Sequence, residues 1–313
     1  MARKEYLFTS ESYAEGEPDK LADIISDSIV DAYLDKDKES KIDVSTFLTK
    51  NKIIVGGDIK SKADVNIDNI IKDTLKEIGY NDISLGMDYA NCEIEDYIKR
   101  NSADSITDFD NNGVDKQNIL FGYAINDSDA YMPLTLTLAH TLVKKLTSLR
   151  KEGRLSFLLP DAKCQITLQY DSKGKPKRLD SVLIMAQHKK EVNIKEIREA
   201  IIEELIKKNI PNSLIDKSSK FYINPTGDYN EAGPLISVGI SGRKTAMDTY
   251  DSWCRFTDMS ISGKDPLNVS RSGTYMLRKI CKNLVAGGMA QKIEIQLAYI
   301  PGMPNPVTLF VES

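Results

Sequence analysis

The order helix, strand, strand returns three times along this chain, and that repetition limits the folds open to it. Leu21, Ile24, Ile25, Ile29 and Val30 recur at helical spacing, and two strand patterns follow at 42–49 and 53–59. An amphipathic helix over 65–80 closes this unit, with Ile67, Ile70, Ile71, Leu75 and Ile78 on one face. The same order resumes with a helix over 133–150, carrying Leu134, Leu138, Leu142 and Leu146, then strands at 164–170 and 179–187 and a helix over 194–208. A third round has a helix over 272–286 and strands at 292–300 and 307–312, and no closing helix. One-sided helices must bury their apolar stripe against another layer, so the expected fold is α/β (α+β), with three similar helix–β-hairpin–helix units and the third incomplete. The unit boundaries expected are 1–104, 114–232 and 233–313.

Composition narrows the function classes. A net charge of −4 over 313 residues argues against a general nucleic-acid surface. Cys92, Cys164, Cys254 and Cys281 stand far apart, which excludes a zinc ribbon and fits a reducing compartment. No run approaches the roughly 20 apolar residues that span a bilayer, and no apolar signal core opens the chain, so a soluble, cytoplasmic protein without a membrane partner is expected. Residues 100–118, rich in Asn, Asp and Ser, read as a loop.

The chemistry-bearing stretch is Glu15-Gly16-Glu17-Pro18-Asp19-Lys20, at the start of the first helix. Gly16 permits a tight turn, and Pro18 suits a first helical turn. Asp23, Asp27 and Asp31 form a stripe that, on spacing alone, is a solvated acidic face. The sharper reading makes Asp19 a ligand for a divalent cation beside Lys20. Four cationic positions follow small or turn-forming residues: Lys163, Arg243 with Lys244, and Lys264. Backbone amides in such segments approach phosphate closely, though each motif alone is weak.

Together, Phe8-Thr9-Ser10-Glu11-Ser12, Glu15 to Lys20, Asp161-Ala162-Lys163, Gly242-Arg243-Lys244 and Ser262-Gly263-Lys264-Asp265-Pro266 resemble, in order, the signatures of the S-adenosylmethionine synthetase (methionine adenosyltransferase) family. The resemblance implies three α/β units with pseudo-threefold symmetry, and it runs to Ser313, where the family usually continues for some tens of residues. It implies that methionine sulfur attacks the ribose C5′ of ATP and expels triphosphate, which is then split to pyrophosphate and phosphate. By the same resemblance Lys163, Arg243, Lys244 and Lys264 bind the triphosphate and serve catalysis. Asp161 contacts the ribose, Tyr229 stacks on adenine, Glu17 also meets ATP, and Asp19 holds Mg²⁺. Residues 100–118 match a lid near the active site.

Departures from the family cluster around the same chemistry. Glu17 stands for a histidine, Ser270 for a magnesium-binding aspartate, and Ser45 for a potassium-binding glutamate, which removes a K⁺ ligand. On the methionine side Asp58 and Asn101 are each one methylene shorter than the family's residues, while Lys116 and Ser237 replace aspartates. These changes predict weak turnover with methionine and leave two alternatives: an impaired paralogue working in a hetero-oligomer, or an ATP-dependent adenosyltransferase or triphosphatase with another nucleophile. Family sites lie between two subunits, so a homodimer or hetero-oligomer is expected. Val44, Ile53, Val55, Ile166, Leu168, Ile184 and Ile295 are the candidate apolar face for a partner.

Overall fold

A computed structural model describes residues 4–101, 113–114, 116–257 and 259–313. Most of the expected lid, residues 102–112 and 115, lies outside the described residues. The fold is mixed α/β, built from three sheets each backed by helices.

Each sheet is centred on a hairpin. In the first, β2 (Lys41–Thr49) pairs with β3 (Lys52–Lys60); in the second, β8 (Leu158–Tyr170) with β9 (Pro176–His188); in the third, β12 (Lys292–Tyr299) with β13 (Thr308–Glu312). The leading strand of each hairpin takes an antiparallel partner from a different stretch of chain. β1 (Tyr6–Tyr13) joins β8, β7 (Asn118–Ile125) joins β12, and β11 (Gly239–Ile240) joins β2. A parallel strand flanks the second member of the first two hairpins: β6 (Glu93–Asn101) lies on β3, and β10 (Lys220–Ile223) on β9. A separate two-stranded ribbon pairs β4 (Asn81–Asp82) with β5 (Met87–Asp88).

Helices cover one face of each sheet. α1 (Pro18–Lys36) and α2 (Ile67–Ile78) bury Leu21, Ile25, Ile29, Ile71 and Leu75 against Val44, Ile53 and Val55. α3 (Leu134–Lys151) and α4 (Ile194–Ile201) do the same for Ile166, Leu168 and Ile184. α4 passes into a wider turn over Ile202–Ile206, so the expected regular helix to 208 is interrupted, and Leu205 and Ile206 both face inward. α5 (Val269–Ala286) packs Leu277, Cys281 and Val285 on Leu120, Ile293 and Ile295.

This packing corrects one expectation. All seven aliphatic residues proposed as a partner-facing surface are at most 4% exposed and lie in these three cores. Burial stabilises each by about 1.5–3 kcal/mol, which the chain's own helices already supply. The opposite face of the first sheet presents Asp43, Ser45, Phe47 and Tyr97 instead.

Because β1 belongs to the second sheet and α1 to the first, residues 14–18 cross between them. Ala14 donates its N–H to Ala162 O at 2.8 Å, and the Tyr80 hydroxyl, fully buried, donates to Gly16 O. Gly16 is required by close approach: a Cβ there would lie 2.4 Å from Pro160. That contact brings the start of α1 against the residue preceding Asp161.

Candidate active site

The start of α1 collects charge from four separated segments. Glu17 is the N-cap, its carboxylate accepting the Lys20 N–H at 3.0 Å. Asp19, in the first turn, is 3% exposed and accepts from Ile240 N at 3.0 Å, Lys244 Nζ at 2.9 Å and Arg243 at 3.3 Å. Lys244 also sits 4.2 Å above the Tyr13 ring and 3.6 Å from Glu17. Lys163 is exposed directly across the β1–β8 ladder from Tyr13, and its side chain has no hydrogen bond or ion pair among the described residues. Lys20 turns aside and pairs with Asp248 at 2.6 Å.

Asp161 is buried beside this group. It accepts from Gly233 N at 2.8 Å and from the Tyr229 hydroxyl at 3.5 Å, while its Oδ1 has no partner among the described residues. Burial pushes its carboxyl up to about 6, against the opposing pull of Gly233 and Lys163. Burial likewise raises Glu17 to about 7, with Lys244 only partly offsetting it. A proton can therefore reside on Glu17 near neutral pH, which relieves the repulsion expected between this carboxylate and phosphate.

Tyr229 is set by residues the sequence did not single out. The Asn224 side chain brackets Ala186, accepting from its N–H at 2.9 Å and donating to its carbonyl at 3.0 Å. His188 Nε2 accepts from Tyr229 N at 3.0 Å, so its Nδ1 is the donor to Lys189 O at 2.9 Å. Gln187 accepts from Asp161 N and donates to Asn230 O. An Asn-Pro-x-Gly turn at 224–227, directly after the strand that ends at Ile223, was the available signal.

A second group forms at the far end of β2. Lys264 and Lys116 both reach Asp43, at 3.1 and 2.6 Å, and Asn101 donates to Asp58 at 2.6 Å. Burial alone would raise the Asp43 carboxyl, but Lys116 and Lys264 outweigh it and hold it below the usual range. Asp43, Asp58 and Lys116 border a cleft of about 320 Å³, with Lys60, Gly113, Val114 and Asp265. A wider hollow, about 990 Å³, lies elsewhere beside Tyr6, Phe8, Tyr123 and Trp253, so charge convergence and not volume marks the candidate site.

The expected residues thus fall into two groups. Glu17, Asp19, Asp161, Lys163, Tyr229, Arg243 and Lys244 gather at the start of α1, whereas Lys264 sits with Asp58, Asn101 and Lys116. Ser237 is exposed on the turn after Gly233, Ser45 is exposed on β2, and Ser270 is buried, donating to Asn118 at 2.6 Å.

Three family models match: S-adenosylmethionine synthetase, N-terminal domain, over residues 5–103; its central domain over 111–229; and its C-terminal domain over 232–313. A curated relative, the S-adenosylmethionine synthase of Syntrophobacter fumaroxidans (strain DSM 10017 / MPOB), is 42% identical over 320 residues, spanning 100% of this chain and 82% of its own length.

Proposed function

The chain belongs to the S-adenosylmethionine synthetase family and is a methionine adenosyltransferase-like enzyme, and from that premise we propose that it converts ATP, L-methionine and water to S-adenosylmethionine, phosphate and pyrophosphate. The observation that carries this reading is the convergence of Arg243 and Lys244 on Asp19, with Lys163, Asp161 and Tyr229 alongside. Lys163, Arg243 and Lys244 receive the triphosphate, Asp161 the ribose, and Tyr229 the adenine. The sulfur lone pair forms a bond to C5′, and the C5′–O bond breaks with its electrons passing to triphosphate. Fixed cations stabilise that developing charge, and water then divides the triphosphate.

The residues present fit a magnesium ion carried by the phosphates. Among the described residues no group of three or more Asp, Glu, His or Cys forms a closed cage. Mg²⁺ is commonly held by one or two carboxylates and the phosphates themselves, and Asp19, beside Glu17, supplies that carboxylate. When bound, the ion would neutralise phosphate oxygens. Ser45 offers one hydroxyl where the family's potassium ligand is a carboxylate.

Methionine fits the second cleft, where Asp58 answers an ammonium group and Lys116 a carboxylate. Two copies of the chain would unite this cleft, and Lys264 beside it on Asp43, with the triphosphate group of the partner; the division of the expected residues into two groups within one chain supports a homodimer. The recurrence of hairpin, added antiparallel strand and backing helix supports pseudo-threefold units at 1–104, 114–232 and 233–313. Among the described residues no helix is long and apolar enough to cross a membrane, which accords with a cytoplasmic setting.

Calorimetry with ATP and Mg²⁺ tests the binding step. Each desolvated charge-assisted contact is worth about 1.5–3 kcal/mol, so Lys163→Ala with Lys244→Ala should weaken ATP a hundredfold or more. Unchanged affinity would overturn the assignment.

A further inference from the structure

Of the acidic stripe of α1 only Asp31 is exposed to solvent; Asp23 and Asp27 are engaged by the rest of the chain. Asp23 is 5% exposed, and its Oδ1 accepts both Gly242 N at 2.7 Å and Ser262 Oγ at 2.5 Å. One turn on, Asp27 accepts Gly263 N at 2.9 Å and Arg271 at 2.6 Å. Gly242, Ser262 and Gly263 belong to the two segments that carry Arg243–Lys244 and Lys264. The segments also abut: a Cβ on Gly242 would lie 2.7 Å from Ser260, and Gly263, at φ +72°, would meet Val44 O at 2.0 Å. Both run along the free edge of β2, where Ser241 N reaches Thr46 O at 3.0 Å and Val44 N reaches Gly263 O at 2.8 Å.

We propose that Asp23, supported by Asp27, is a positioning residue that fixes the two cation-bearing segments against α1 and β2, so that Lys244 in this chain's own triphosphate corner, and Lys264 facing that of a partner copy, are oriented before a phosphate chain arrives. This rests on the ATP-binding reading above. The argument is energetic as well as geometric. Asp23 Oδ2 is buried without a hydrogen-bond partner among the described residues, and Lys20 lies 3.9 Å away. A half-satisfied buried carboxylate lowers stability relative to an apolar residue, so its contribution lies in what it holds in place. A backbone amide and a hydroxyl sharing one carboxylate oxygen couple the two segments more tightly than a side chain on either alone.

The test uses the full chain and two probes with Mg²⁺ present: inorganic tripolyphosphate, which needs the cations, and adenosine, which needs Asp161 and Tyr229. Asp23→Asn should weaken tripolyphosphate at least tenfold and adenosine less than twofold. Ser262→Ala, which removes one donor and leaves the carboxylate, should weaken tripolyphosphate about threefold. Ile29→Val, a core change on the same helix, controls for general loss of stability and should alter neither affinity. Where Asp23→Asn does not fold, Ser262→Ala decides. Parallel loss of both probes, or tripolyphosphate affinity retained within twofold in the folded variants, would overturn the positioning role. Failure of wild-type chain to bind tripolyphosphate would instead overturn the ATP-binding reading.

Discussion

The proposed triphosphate corner and the proposed methionine cleft carry charge in different ways. In the corner Asp19 and Asp161 are buried, and their partners arrive from β8, the 229–233 turn and the 240–244 segment. In the cleft Asp43 and Lys116 keep much of their surface, and the Lys116–Asp43 pair is exposed enough to add little stability. By the resemblance drawn from the sequence, the corner keeps the expected residues except Glu17, while the cleft departs at several positions. The residues at those positions find local partners: Lys116 pairs with Asp43, Asn101 with Asp58, and Ser270 with Asn118. Unselected drift would leave orphaned groups, so this pairing argues for a rebuilt cleft over a decayed one.

Loss of a cation in the corner should be the harshest change. Removing one preorganised donor to a developing charge costs about 3–4 kcal/mol, so Lys244→Ala should lower kcat a hundredfold or more. An equal fall in Lys116→Ala would erase the distinction between the regions. Asp43→Asn comes next, leaving Lys116 and Lys264 without their shared carboxylate. It should raise the KM for methionine about tenfold and leave ATP affinity within twofold, measured by steady-state kinetics and calorimetry.

A smaller effect, at most, attaches to Glu17. Its folded carboxyl, near 7, lies above the 4.5 of an ordinary glutamate, so the folded chain keeps a proton that the unfolded chain releases. The stability tied to that proton is complete below about pH 4.5 and is lost as pH rises through 7. Glu17→Gln cannot ionise, so in thermal melts it should exceed wild type by about 2 kcal/mol at pH 8 and match it near pH 5. A constant difference across that range would show that burial does not govern Glu17.

Local periodicity made most helices and all three hairpins legible, because apolar spacing reports which side of an element is covered. It did not reveal the strand exchange, since no local pattern tells Asn118–Ile125 to join Lys292–Tyr299. Glu93–Asn101 was missed for a different reason: its sequence is heavily charged, and Ile98 is its only residue among the buried core. The same blindness to partners reversed the reading of the sheets, whose aliphatic residues point at the chain's own helices. In the site, resemblance supplied the cations, but only folding revealed that Asp23 and Asp27 hold them. An acidic stripe looks alike whether it faces water or backbone amides.

Product analysis tests the central claim most directly. Purified chain supplied with ATP, Mg²⁺ and methionine should yield S-adenosylmethionine, pyrophosphate and phosphate in equal amounts by mass spectrometry. ADP with phosphate, or tripolyphosphate released without adenosylated methionine, would contradict it.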